Sequence, residues 1–520
     1  MDIGGNRTFY SIFAAYAAQQ PAREWLVYER GDGQVFRLTY AELLDSVHQA
    51  VNLLHALGIG TGDVFNLNLS NHPAYLQLIL AASYLGAIAM PTNPVSTADE
   101  LVYLVEHSES QVIFTEVGCL DVVHEVIAGL PVRQVVLCQT GDAIPDGYPV
   151  YEAELSRQST EPPLGEGASE RVVQLLYTSG TTARPKGVML TNAGLIYGAE
   201  VFRGATGLRQ EDRHLIALPL FHAAAQCHAL WPSLISGASI AIMARFSASR
   251  FFEQAIEYEG TMAALFGAPL RMVLNQPARS TDDIHSLRNA TFGQSLTATQ
   301  YDEWHRRFRV PLQQLWGMTE TCGLPVMSPL TGERNLLAMG RPVVGYEVKV
   351  VDDEGREVPP GELGQLIVRG TPGRSVMLGY LNNSEATADT LRTLEDGMWL
   401  FSGDTVYAGK DGFIYFVDRG KDLIKRAGEN ISSTEVEAAI MDCAGVLDVC
   451  VVGVPDPIRD EAVVAVVVPK PESRLTAEAV QAHCAQHLAP FKRPERVEFV
   501  ESLPRTSVGK IQKQIVRGWF

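Results

Sequence analysis

The chain has 520 residues, more than one core usually fills, and 46% of them are hydrophobic, so several domains with large buried cores are expected. With 60 acidic against 42 basic residues the net charge is −18, which argues against nucleic acid or an anionic membrane surface as the main partner. Seven cysteines, at 119, 138, 227, 322, 443, 450 and 484, are odd in number, form no CxxC pair and lack zinc spacing, so a reducing cytoplasm fits best.

The opening MDIGGNRTFYSIF has no basic region followed by an apolar stretch and a small-residue cleavage site, so no signal peptide is expected. Helical spacing of apolar residues predicts helices over Phe9 to Ala18 and Tyr40 to Leu57; Thr39 with Glu42 is a capping-box start and Gly58 a stop. The apolar stretch from Tyr75 to Met90 contains Gln77 and Ser83 and is shorter than the ~20 residues of a membrane span. It reads as a buried helix after Pro73. Strands at Val64 to Leu69, Ala87 to Met90 and Val112 to Thr115 alternate with helices at Tyr75 to Leu85 and Leu101 to Ser108, the pattern of a largely parallel, helix-covered sheet. From Gln139 to Gly167 glycine, proline and charge predict a surface connection.

The apolar run Val172 to Leu176 then opens into YTSGTTARPKG, residues 177 to 187. Gly180 lets backbone approach a ligand, Thr178, Ser179, Thr181 and Thr182 supply hydroxyls, and Lys186 supplies a point charge suited to phosphate oxygens. Neither the Walker spacing nor GxGxxG is present, so this is a phosphate cradle of another kind or an ordinary surface loop. Further on, a helix is expected at Ala193 to Phe202 and strands at Arg213 to Leu218, Ser239 to Ala244, Met262 to Phe266, Arg288 to Phe292 and Leu312 to Leu315. Several of these end in small or polar residues, which places PLFH, GQSL and WGMTE at the carboxyl edge of a sheet, where open α/β folds bind ligands. Beyond Gly340, turns at Asp353-Glu354-Gly355 and Lys410-Asp411-Gly412 indicate a β-rich subdomain, and the charged DRGKDLIKRAGENI marks a domain boundary at Arg419 to Lys421. The final hundred residues read as a small α+β domain.

Five motifs stand in one order: YTSGTTARPKG, WGMTE, SGDTVY, DRGKDLIKRAGENIS and PRTSVGKIQK. Together they resemble the adenylate-forming superfamily of acyl-CoA synthetases, adenylation domains and firefly luciferase, over nearly the whole chain. The wording from GTPGRSVMLGY through FVDRGKDLIKRAGENIS to VPDPIRDEAV looks most like the crotonobetaine/carnitine-CoA ligase-like branch. The resemblance implies an α/β fold: a large N-terminal domain, 1–419, of helix-covered sheets with a β-rich subdomain, and a small mobile C-terminal α+β domain, 420–520. It also implies ATP, Mg²⁺ and coenzyme A, with a carboxylic acid activated as an acyl-adenylate and passed to a thiol. A carrier-protein thiol in place of CoA, and a non-catalytic nucleotide-binding protein, remain the alternatives.

By that resemblance Thr178, Ser179, Gly180, Thr181, Thr182 and Lys186 hold the β- and γ-phosphates, Glu320 ligates Mg²⁺ and Thr319 contacts the α-phosphate. Trp316, where tyrosine is commoner, stacks on adenine beside Gly317; Asp404 accepts both ribose hydroxyls; Arg419 assists at ribose and phosphate. Lys421 is the hinge, Lys510 the lysine delivered to the reacting carboxylate and α-phosphate, and Gly428 faces the pantetheine tunnel. Ala427 stands where luciferase-like chains often carry lysine. Phe221, Ala268, Gln294, Ser295, Gly317 and Met318 are expected in the acyl pocket. His222 either orients the incoming carboxylate or is a hydrogen-bonded core histidine, and Gln294 either binds a polar substrate or caps a strand end.

Overall fold

A computed structural model describes residues 3–178, 184–293, 296–335, 337–419, 422–426, 429–456, 459–471, 473–505 and 511–520. It is a mixed α/β molecule with several sheets and a small C-terminal domain. The expected alternation builds two large sheets rather than one. In the first, strands Val64–Asn68, Ile88–Thr92, Val112–Thr115, Gln134–Leu137 and Val172–Thr178 run parallel. The second has a parallel centre of Glu24–Glu29, Ser239–Met243, Arg213–Ile216, Met262–Phe266, Asn289–Gly293 and Leu312–Trp316. These strands are buried along nearly their whole length, polar residues such as Asn66, Asn289 and Gln313 included, as in sheets covered on both faces.

Local chemistry sets the ends of the elements. Thr39 and Glu42 close a reciprocal capping box on helix Tyr40–Ala56, and Gly58, at φ +75°, turns the chain away beyond it. The apolar stretch after Pro73 is divided: helix Ala74–Leu85 stops at Gly86, at φ +79°, and strand Ile88–Thr92 follows. Among the described residues no helix is long and apolar enough to cross a membrane.

The segment expected as a surface connection contains helix Tyr151–Ser156, whose Tyr151 is buried and donates to Gln77 Oε1 at 3.0 Å. Its Gly- and Pro-rich flanks hide a single helical turn and a half that packs two anchors, Tyr151 and Leu155. Lys186 also sits differently from the loop reading: it begins strand Lys186–Thr191, antiparallel to Val172–Thr178, and faces Thr178 in register. The apolar Val188, Met189 and Leu190 pair with the outgoing strand.

An antiparallel sheet of Glu347–Val351, Gly364–Arg369, Gly397–Ala408, Leu391–Leu394 and Ile414–Arg419 forms the β-rich part. The C-terminal sheet, built on Val446–Asp456 and Asp460–Pro469, has its own core around Ile424, Val436, Val451, Val467 and Cys484.

Candidate active site

The strand that begins at Lys186 and the WGMTE turn meet through a tyrosine. Strand Leu312–Trp316 runs into a 3-10 turn at Thr319–Thr321, fixed by Thr321, whose hydroxyl accepts from Met318 N at 3.1 Å and donates to Gly323 O at 2.7 Å. Cys322, at φ +56°, ends the turn in the left-handed region. Helix Asn192–Thr206 crosses this turn at Gly198, where a Cβ would stand 2.2 Å from the Cys322 carbonyl oxygen. Only glycine permits that approach.

Glu320 is thereby held 4% exposed. Its Oε1 accepts the Tyr380 hydroxyl at 2.8 Å, and the Lys186 ammonium lies 4.1 Å from the centre of the Tyr380 ring. Burial, then the neighbouring Glu320 charge, push the Tyr380 phenol far above its ordinary range, so it stays a donor. Glu320 Oε2 carries no hydrogen bond among the described residues, and no group of three metal-ligating side chains occurs there. One free carboxylate oxygen fits a Mg²⁺ whose other ligands are phosphate oxygens and water.

On the other side of the WGMTE turn, Trp316 Nε1 donates to Asp404 Oδ2 at 2.7 Å. Asp404 faces Arg419 across the antiparallel pair, with Arg419 Nε 3.4 Å from Oδ1. Asp404 is buried whereas Arg419 is half-exposed, so the pairing orients the carboxylate more than it stabilises the fold. Next to Arg419, Asp418 Oδ2 accepts from the Ser433 N–H at 2.8 Å and from its hydroxyl at 2.6 Å; Lys513 bonds the same hydroxyl and forms a 2.9 Å ion pair with Glu437. Burial raises the Asp418 carboxyl despite Lys513.

Phe221, His222 and Ala268 line one cavity of about 650 Å³, with Phe246, Phe266 and Arg271. Leu447, Leu503 and Arg505 of the C-terminal part complete its wall. His222 Nδ1 accepts from Ala224 N at 3.1 Å, capping the short helix Ala223–Ala225, and its ring meets Phe266 edge-on at 6.2 Å. His222 is thus hydrogen-bonded, partly buried and on the cavity wall. Gly317 and Met318 do not line this cavity; Met318 packs against the main core. Ser179, Gly180, Thr181, Thr182, Gln294, Ser295, Lys421, Gly428 and Lys510 lie outside the described residues.

Sequence reasoning missed Tyr380 and Arg271. Tyr380 belongs to GTPGRSVMLGY, quoted above only for its wording, and nothing in the spacing brings it to Glu320. Arg271 stands one helical turn beyond Ala268 on Gly267–Leu274, so the helical period alone places both on one face.

A lysine and a buried carboxylate meeting on one tyrosine, a paired indole and aspartate, and a largely apolar cavity of about 650 Å³ are an arrangement suited to a phosphate-bearing ligand and a second, apolar-bodied one. Residues 13–381 match the family of AMP-binding enzymes and residues 435–510 match the AMP-binding enzyme C-terminal domain. The chain is 32% identical over 521 residues to the crotonobetaine/carnitine–CoA ligase of Salmonella paratyphi A, covering 99% of each protein. It is similar to the anthranilate CoA ligase AuaEII in complex with anthranoyl-AMP, with TM-score 0.89 and 25% identity over 99% of this chain and 97% of that one. ATP-bound MatB from Rhodopseudomonas palustris gives TM-score 0.87 and 26% identity over 99% of both chains. The chain belongs to the AMP-binding enzyme family, within the adenylate-forming acyl-CoA synthetase superfamily.

Proposed function

We propose that this enzyme is an AMP-forming acid–CoA ligase. In the first step a carboxylate oxygen attacks the α-phosphorus of ATP, the bond to the bridging oxygen breaks, and pyrophosphate leaves with that electron pair. In the second, the CoA sulfur attacks the acyl carbon of the adenylate, the bond from that carbon to the phosphate oxygen breaks, AMP leaves, and the thiol proton passes to solvent. Charge concentrates on phosphate oxygens in both steps, so fixed positive charge and oriented donors are what the protein must supply.

The observation that carries this reading is the meeting of Lys186 and Glu320 on Tyr380, in a molecule that also holds a largely apolar cavity lined by His222. Lys186 and the hydroxyls of Thr178, Ser179, Thr181 and Thr182 take the pyrophosphate end, and Thr319 takes the α-phosphate. Mg²⁺, bound at Glu320, would neutralise phosphate oxygens. Trp316 covers adenine, Asp404 takes the ribose hydroxyls with Arg419 behind it, and the acid lies along Phe221, His222 and Ala268. Residues 1–419 form the large domain and 420–520 the small one, swinging about Lys421 so that Lys510 serves adenylation and Gly428 the thiol.

The similar ligases named for crotonobetaine or carnitine and for anthranilate support an acid–thiol ligase chemistry for this chain. Incubation with MgATP, CoA and an acid panel that includes those compounds, followed by AMP release, tests the reading. Turnover only with a carrier-protein thiol would replace CoA as acceptor. Absence of pyrophosphate exchange with every acid would overturn the catalytic reading.

A further inference from the structure

We propose that Tyr380 is a positioning residue with two separate tasks: its hydroxyl orients Glu320 for the metal, and its ring keeps the Lys186 ammonium from collapsing onto that carboxylate. The proposal rests on the assignment of Lys186 to phosphate and Glu320 to Mg²⁺.

The geometry supports both tasks. Residues 377 to 381 bind the two partners through the backbone: Met377 N donates to Glu320 O at 2.8 Å, Leu378 N to Met189 O at 3.0 Å and Leu381 N to Gly187 O at 2.8 Å. Tyr380 faces Val188 in register on the strand that begins with Lys186. Its own N–H donates to Thr387 Oγ1 at 2.9 Å, and the side chain is 4% exposed, so the ring has one place to be.

Glu320 and Lys186 would otherwise be natural partners, a buried carboxylate and a cation on neighbouring segments. They form no ion pair; the ammonium lies on the ring face and the carboxylate on the hydroxyl. A direct pair would neutralise both groups and remove each from its own ligand, the lysine from phosphate and the carboxylate from metal. The aromatic face holds a cation without donating or accepting a proton, so it can release that cation to a phosphate. The hydroxyl occupies Oε1 and leaves Oε2 as the metal-facing oxygen.

Two substitutions separate the tasks. Tyr380→Phe keeps the ring and removes the hydroxyl; Tyr380→Leu removes both. ATP binding is measured by calorimetry with and without Mg²⁺, and Mn²⁺ binding to the ATP complex by electron paramagnetic resonance. Tyr380→Phe should weaken the metal's contribution roughly 10-fold, as expected for a lost hydrogen bond to a charged group, and leave metal-free ATP affinity unchanged. Tyr380→Leu should weaken metal-free ATP binding as well, and adding Glu320→Gln to it should recover part of that loss, because the lysine then has no carboxylate to pair with. A recovery larger than the gain Glu320→Gln gives in the native background is the outcome that simple loss of packing cannot produce.

The proposal is overturned if Tyr380→Phe leaves metal dependence intact, or if Glu320→Gln gives no such recovery in the leucine background while circular dichroism reports a folded protein. Lys186→Ala in the otherwise native chain separates the two levels. If it leaves ATP affinity untouched, the phosphate assignment itself fails; if it weakens binding while both Tyr380 variants behave as the native protein, only the role of Tyr380 fails.

Discussion

Asp404 is buried between an indole donor and a guanidinium, which fix the carboxylate proposed to take the ribose hydroxyls. Asp404→Asn keeps the shape but removes the charge, and is expected to raise the KM for ATP about 10-fold while leaving the KM for CoA unchanged. Steady-state kinetics with each substrate varied checks this. A second residue-scale expectation concerns acid stability. The His72 ring is buried, accepts from Ala74 N at Nδ1 and lies 3.2 Å from Gln139 O at Nε2, an arrangement that suits a neutral ring donating from Nε2. Glu152, 3.4 Å from Nε2, does not hold a proton there against burial, which pulls His72 down to about 4; burial likewise pulls His214 to about 3. The unfolded chain takes up these protons near pH 6.5, before the folded one does. Stability should therefore be full above that pH and fall as pH drops toward 4, by on the order of 3 kcal/mol from His72 alone. Urea midpoints across pH 7 to 4 measure the slope, and His72→Asn should make it shallower, with His214 supplying the remainder. Glu320 and Asp404 stood out as candidates at this scale because their neighbours in sequence form recognisable motifs. Tyr380 was not, because its partners reach it only across strands.

At the scale of elements, caps and periodicity were readable and pairings were not. The Thr39–Glu42 box was evident from two residues, and Thr39→Ala should cost about 1 kcal/mol, visible as a lower urea midpoint with no change in ATP binding. The closeness of helix Asn192–Thr206 to the Glu320 turn was invisible. Gly198→Ala should push the Cys322 carbonyl away and, through it, displace the Glu320 turn, so that MgATP affinity falls along with stability. An unchanged MgATP affinity would show that the turn does not follow its carbonyl. The strand Glu24–Glu29 escaped notice because a short buried run without alternation gives no period, and helix Tyr151–Ser156 because six residues are too few for one.

For the whole molecule, the two-conformation scheme makes Lys510 and Lys421 separable. Lys510→Ala should cripple pyrophosphate exchange yet leave thioester formation from supplied acyl-adenylate largely intact, whereas Lys421→Pro should do the reverse by restricting the hinge. Both half-reactions assayed side by side decide it; equal losses in either variant would contradict the scheme. Motif order alone determined the family and the α/β class, and it supplied the residues proposed for phosphate, ribose and metal, since recognition of each demands particular residue types at particular spacings. Tertiary structure alone decided that the alternating strands divide into two sheets, that Lys186 heads a strand of a hairpin, and that Phe221, His222 and Ala268 share a wall with the C-terminal part. These are contacts between segments far apart in the chain, selected by which buried faces pack together, and local spacing carries no record of that choice. The lysine and carboxylate were each readable from their motifs; the tyrosine that keeps them apart was supplied by the packing of a third segment between them.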